Sequence, residues 1–166
     1  AIAGLLGTSP ETSSVLSVGF RQTLNTALAK RFSLRNYNDK NEQPLSECTR
    51  LSIQIDSLLK LLREAPGGGH LQMRNIWDIV VIDEAESLLV HLLSETLKNK
   101  VQHIWKLFCH ILKHARTLVL CDADLGINTL ETVEALGRES PCTVLHNVHV
   151  PRRLTYVIVQ NVDVFT

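Results

Sequence analysis

Cysteine is scarce and scattered in this sequence: Cys48, Cys109, Cys121 and Cys142 are its four cysteines, and no two have C-x-x-C spacing. A zinc site or a dithiol redox motif needs such spacing, so neither is expected. Cys109 and Cys121 stand in apolar runs and read as small buried hydrophobes in a reducing compartment. Charge of one sign is not in excess either, since Lys plus Arg (17) balances Asp plus Glu (17). A nucleic-acid site, if the chain has one, is therefore a local patch. No apolar run reaches the roughly 18 residues that a membrane-spanning helix requires, and no secretory signal is visible, so no membrane partner is expected. Among the seven histidines, His110 and His114 stand four apart without a third ligand nearby, which reads as a shared solvated helix face rather than a metal site.

What is present suits one globular domain: 166 residues, 45% of them hydrophobic and 20% charged. The opening "AIAGLL" has no initiator Met and reads as the last turns of a helix that begins elsewhere, as in a piece of a larger protein. "SSVLSVGF" (13–20) predicts a strand, and "RQTLNTALAKRF" after it predicts a helix that buries Leu24, Leu28 and either Ala27 or Phe32. "RNYND" is a second short strand. "TRLSIQIDSLLKLL" alternates like a strand at Leu51, Ile53 and Ile55, then turns helical through Leu58, Leu59 and Leu62. "APGGGH" (65–70) is a flexible loop.

"WDIVVID" (77–83) is a continuous apolar run of the kind that burial on both faces of a parallel sheet demands. Helical patterning then covers 85–114, with a break near Lys98 to Lys100. "TLVLCDAD" (117–124) repeats the design, a buried run followed by acids, and "LETVEALG" is a short helix closed by Gly137. "CTVLHNVHV" and "RLTYVIVQNV" predict two further strands separated by Pro151. Alternating strands and helices imply an α/β fold with a mainly parallel sheet and helices on both faces. Ligands of such sheets bind beyond the carboxyl ends of the strands, where both acidic clusters, 83–86 and 122–124, are expected.

These acids admit several chemistries. On a nucleotide reading, Asp83 helps hold magnesium through water and Glu84 polarises the attacking water, since phosphoryl transfer rests on positioning and electrostatics. On a plainer reading, Asp83 caps the following helix and Glu84 and Glu86 complement its dipole. A third reading resembles the toprim domains of primases and topoisomerases, with Glu84 or Glu86 joining Asp122 and Asp124 around magnesium. Ala85 stands where that pattern usually has Gly.

Four segments in order carry a more specific resemblance: "VLSVGFRQTLNTALAKRF", "RLSIQIDSLLKL", "WDIVVIDEAESLL" and "ARTLVLCDADL". Together they resemble the first RecA-like domain of superfamily 2 helicases that initiate replication, in particular the herpesvirus-type replication origin-binding protein helicases and related plasmid replication proteins. The last segment has Asp-Ala-Asp where most of the superfamily has Ser-Ala-Thr. The resemblance implies that Asp83 and Glu84 serve ATP hydrolysis, with Asp83 holding Mg2+ through water. It implies that Asp122, Ala123 and Asp124 couple nucleotide state to movement on DNA, and that Arg21, Gln54 and Ser57 face the nucleic-acid backbone. ATP and Mg2+ are the implied cofactors. DNA, the remainder of the same helicase and other replication proteins are the implied partners. The implied location is intracellular, a bacterial cytoplasm or, for a viral or eukaryotic source, the nucleus.

One departure stands out. Helicases of this kind need G-x-x-x-x-G-K-[ST], whose amides and Lys cradle the phosphates. "GLLGTS" (4–9) lacks the Lys and "PGGGH" stands in the wrong place. Residues 1–166 are therefore expected to be a single partial RecA-like domain, without the phosphate loop or a second RecA-like domain, that hydrolyses ATP hardly at all alone. "AKRF", "KNK" and "PRR" read as solvated surface, so DNA affinity is expected to be weak and salt-sensitive. A non-catalytic RecA-like module that binds DNA or protein is the remaining alternative.

Overall fold

The computed structural model describes residues 13–40, 43–64, 71–73, 77–94, 97, 99–138 and 143. Strand β1 (Val15–Gly19) leads into helix α1 (Gln22–Arg31), followed by the short β2 (Arg35–Asn36) and a 3-10 turn, Leu45–Glu47. Next come β3 (Arg50–Gln54), a 3-10 helix (Ile55–Leu61), β4 (Leu62–Glu64) and β5 (Leu71–Met73). Then β6 (Ile79–Asp83) precedes α2 (Ala85–Leu92) and α3 (Val101–His114), and β7 (Thr117–Cys121) precedes α4 (Ile127–Ala135). The main sheet has five strands in the order β2-β3-β1-β6-β7, and every pairing in it is parallel. β4 and β5 form a separate antiparallel pair on either side of 65–70. Among the described residues, no helix is long and apolar enough to cross a membrane.

The period-two alternation of strands divides the core between two faces. Leu16, Val18, Val80 and Ile82 pack on one side with Ala85, Leu88 and Leu92 of α2 and with Ile104, Phe108 and Ile111 of α3. Val15, Ile79 and Val81 pack on the other against Leu28, Ala29 and Phe32 of α1. Helices thus cover both faces, and the central strands β1 and β6 are buried almost throughout. At the amino ends of these strands, Asp78 accepts hydrogen bonds from the Ser14 N–H (2.8 Å) and hydroxyl (2.9 Å).

Several local expectations are revised. In α1, Phe32 closes the apolar face, whereas Ala27 is exposed and Asn25 is buried. After β3 the chain forms a 3-10 helix whose buried residues, Ile55, Leu58 and Leu61, recur every three positions, the repeat of that helix. Leu59 and Leu62 are only half-buried. Ser52 is fully buried, so β3 is an interior strand rather than a half-exposed one. β7 is half-exposed because it is the last strand of the sheet among the described residues. Cys121 on that edge and Cys109 on the flank of α3 are half-buried, while Cys48 is buried. The helical break expected near Lys98 to Lys100 separates α2 from α3, and Gly137 takes a positive φ of 59° after α4. His110 and His114 are both exposed on α3, with rings 4.2 Å apart. "AIAGLL", "APGGGH", "RLTYVIVQNV" and nearly all of "CTVLHNVHV" lie outside the described residues.

Candidate functional site

The site forms where the strands end. Asp83 is the last residue of β6 and pairs in register with Cys121, the last residue of β7, so Asp122 emerges beside it. Glu84 then turns the chain from strand to helix with φ 53° and ψ 54°, the left-handed region that costs a residue with a Cβ about 1–2 kcal/mol. Non-glycine residues held there cluster at functional positions. The expectation that Asp83 caps the following helix fails: Glu84 occupies the cap position without a side-chain cap bond of its own, and the first-turn N–H of Glu86 is met by Asp122. The Asp83 carboxylate instead accepts from the Glu84 N–H, and that of Glu84 lies beside Arg21.

Burial in the first place, then the like charges of Glu84 and Asp122, raises the pKa of Asp83, against the opposing N–H of Glu84. A cation placed here would relieve that cost. Glu86 behaves in the opposite way. The Thr129 hydroxyl, the Asn128 amide and the N–H groups of Gly126 and Thr129 hold its carboxyl below the ordinary range. The Glu86 N–H donates to Asp122 Oδ2 (2.9 Å), and Asp122 Oδ1 accepts from the Asp124 N–H (2.9 Å). The two acidic turns are therefore joined. Ala123 and Asp124 lie exposed at the tip of the second.

Arg21 opens α1 directly after β1, and its own side chain caps nothing. Its guanidinium stacks on Phe20, 5.0 Å from the ring centroid, and its Nε lies 3.8 Å from Glu84 Oε2. Gln54, at the end of β3, is engaged at both ends of its amide: Nε2 donates to the Phe20 carbonyl (2.9 Å) and Oε1 accepts from the Tyr37 hydroxyl (2.8 Å). Ser57 is half-exposed in the following 3-10 helix. Asp83, Glu84, Asp122, Arg21 and Gln54 thus share one edge of the sheet, while Ser57 lies one turn beyond it.

Sequence reasoning missed a bridge across this edge. His91 Nε2 of α2 lies 2.8 Å from Asp56 Oδ1, and its ring stands 5.6 Å from that of Phe20. It also missed Glu86 as a connector, because its partners lie 36 to 43 residues away and leave no local signal. The three-carboxylate arrangement that a toprim centre requires is not assembled: no three His, Cys, Asp or Glu side chains come together as a cation site among the described residues.

An all-parallel α/β sheet with acids at its carboxyl edge meets the expectation of a RecA-like domain. Residues 5–158 match the family described as origin of replication binding protein. The chain belongs to this family. An Acanthamoeba polyphaga mimivirus protein, provisionally named a replication origin-binding protein, is 27% identical to this family member over 158 residues, which is 91% of this chain and 19% of that protein. Another mimivirus protein, uncharacterized and provisionally named a helicase, is 28% identical over 130 residues, 75% of this chain and 12% of its own length. The replication origin-binding protein of Psittacid herpesvirus 1 is 24% identical over 149 residues, 84% of this chain and 15% of its own. The chain therefore spans about a fifth or less of the length of these curated relatives.

Proposed function

We propose that this member of the origin-binding family is part of the first RecA-like domain of an ATP-dependent DNA helicase of replication initiation. The observation that carries the reading is the junction of Asp83 and Glu84. One is a carboxylate whose ionisation is opposed by burial and like charge, and the other stands on a strained backbone that no cap requirement explains. The family relationship supports the reading at the coarser level of origin-binding and helicase proteins.

The residues present suit Mg2+ and ATP in part. Asp83 is placed at the end of an interior strand and would hold the metal through water, and the Glu84 carboxylate lies beside Arg21 and is 39% exposed. Bound Mg2+ would neutralise charge on the transferring phosphate. Glu84 would orient and deprotonate the attacking water. Asp122, Ala123 and Asp124 would follow the nucleotide state and pass it to DNA. Arg21 would meet a backbone phosphate at the amino end of α1, where free N–H groups point the same way. Gln54 holds the Phe20–Arg21 turn from below, and Ser57 extends the same surface.

A phosphate cradle of the G-x-x-x-x-G-K-[ST] type has no counterpart in these 166 residues, so on this reading it is supplied by sequence outside them, as is a second RecA-like domain. The test is to read the source locus upstream of the codon for Ala1. An in-frame G-x-x-x-x-G-K-[ST] within about one helix length of it is the expected result. A start codon or unrelated sequence there would remove the ATPase reading and leave a passive binding module.

A further inference from the structure

The carbonyls of Gly19, Phe20 and Arg21 follow one another where β1 gives way to α1, and each is met by a different N–H. Asn25 Nδ2 donates to the Gly19 carbonyl (3.5 Å, a long bond), Gln54 Nε2 to that of Phe20 (2.9 Å) and the Asn25 backbone N–H to that of Arg21 (3.0 Å). Gly19 and Gln54 are partners in the parallel pairing of β1 with β3, which puts the Gln54 amide beside the turn. A carbonyl can only accept, so this amide must present its NH2 to Phe20 and its oxygen to the other side. There the hydroxyl of Tyr37, one residue beyond β2, donates to Gln54 Oε1 (2.8 Å).

Asn25, Leu28, Ala29 and Phe32 have the i, i+3, i+4, i+7 spacing of a core-facing helical stripe, and Asn25 is its one polar member. An apolar residue would fill the position at less cost, because Asn25 Oδ1 is buried and has no donor among the described residues. The side chain is also pressed against the strand: a Cβ on Gly19 would stand 2.5 Å from Asn25 Oδ1, so glycine alone fits there. The Ser52 hydroxyl donates to the Asn25 carbonyl (3.0 Å), which ties the same residue to β3. What the buried amide provides is a fixed exit from β1.

Arg21 is the residue that this exit aims. Its guanidinium stacks on the Phe20 ring, so its backbone and its side chain both depend on where Phe20 sits. We infer that Asn25 and Tyr37 are positioning residues for Arg21: Asn25 fixes the Gly19 end of the turn, and Tyr37, by orienting the Gln54 amide, fixes Phe20. The brace stands on its own contacts. Its consequence, that it sets affinity for a DNA phosphate at Arg21, rests on the proposed function.

Nitrogen-15 relaxation on the 166-residue chain tests the brace. Asn25→Ala removes the buried amide, and Tyr37→Phe takes a single hydroxyl from a half-buried residue and leaves the core intact. Backbone order parameters at Phe20 and Arg21 are expected to be about 0.85 in the unaltered chain and about 0.6 in each variant, while Phe108 and Ile111 in α3 keep theirs. Unchanged values at Phe20 and Arg21 in Tyr37→Phe would overturn the brace, whether or not Asn25→Ala folds.

Fluorescence anisotropy of a labelled single-stranded oligonucleotide reads the consequence. Tyr37→Phe and Asn25→Ala are each expected to weaken binding about threefold or more, and to weaken it no further in a chain that already carries Arg21→Ala. Equal weakening in both backgrounds would mean that the two residues serve the fold at large, and would overturn their assignment to Arg21. An unaltered chain that binds no DNA would remove the proposed function and leave the order parameters to decide the brace.

Discussion

Arg21 and Glu84 open the helices that follow two neighbouring strands, and their side chains meet, Arg21 Nε lying 3.8 Å from Glu84 Oε2. The residue proposed to touch DNA and the residue proposed to activate water are thus electrostatic neighbours. Both are substantially exposed, 62% and 39%, so the pair itself stabilises the fold by no more than about 1 kcal/mol. Arg21 is free to exchange Glu84 for a phosphate at little cost.

Arg21→Ala should therefore leave the unfolding midpoint nearly unchanged but weaken DNA binding. Fluorescence anisotropy across a salt series should show weak, salt-sensitive binding by the unaltered chain. The variant's log-log salt slope should be smaller by about one, as for the loss of one phosphate contact. An unchanged slope would take Arg21 out of the DNA surface.

Glu84 provides a test of backbone strain. With φ at 53°, a glycine fits this position better than any residue with a Cβ. Urea denaturation should find Glu84→Gly more stable than Glu84→Ala by about 1 kcal/mol, although both lose the same carboxylate. Equal stabilities would mean that the left-handed turn is not held in solution.

Asp83 and Asp78 should give opposite slopes in a pH series. Asp83 has a folded pKa raised by burial and by its acidic neighbours, so its contribution to stability is complete below the unfolded carboxylate pKa and is lost as pH rises through the folded one. Asp83→Asn should be more stable than the unaltered chain at neutral pH and lack that loss. Asp78 has a folded pKa lowered by its hydrogen bonds from Ser14, with Arg116 adding to the effect. Its contribution is present above the unfolded pKa and is lost as pH falls through the folded one. Asp78→Asn should flatten the acid limb alone, as urea midpoints from strongly acidic to neutral pH would show.

Arg138 closes the carboxyl end of α3. Its guanidinium donates to the carbonyls of Leu112, Lys113, Ala115 and Arg116, groups that have no partner within the helix. Arg138→Ala should cost about 1–3 kcal/mol in thermal or urea unfolding, the range for losing hydrogen bonds from a charged donor. Arg138→Lys should recover only part of this, because one ammonium cannot span four carbonyls.

Much of this fold was legible because its central strands are predominantly apolar runs. "IVVID" reads as a strand buried on both faces and "VLSVG" as a short strand, and the stripe Ile104, Leu107, Phe108, Ile111 has the spacing of a helix. Periodicity reports burial within one element and nothing about its neighbours. It therefore could not tell that "TLVLC" ends the described sheet half-exposed, or that the leucines after β3 follow a repeat of three. The placement of Asp83 and Glu84 at a strand end was legible from the abrupt change of polarity there. The engaged amide of Gln54 and the partners of Glu86 were not, since each depends on residues brought close only by the parallel pairing of distant strands.

The most direct measurement of the central claim is DNA-stimulated ATP hydrolysis by the full-length product of the reading frame that holds this chain, compared with Asp83→Asn and Glu84→Gln. Each variant should lower kcat on the order of 100-fold or more while binding DNA as before, as expected for losing a metal-holding carboxylate or a general base. Hydrolysis at the unaltered rate in both variants would contradict the account and leave the carboxylates at this strand end with a structural role alone.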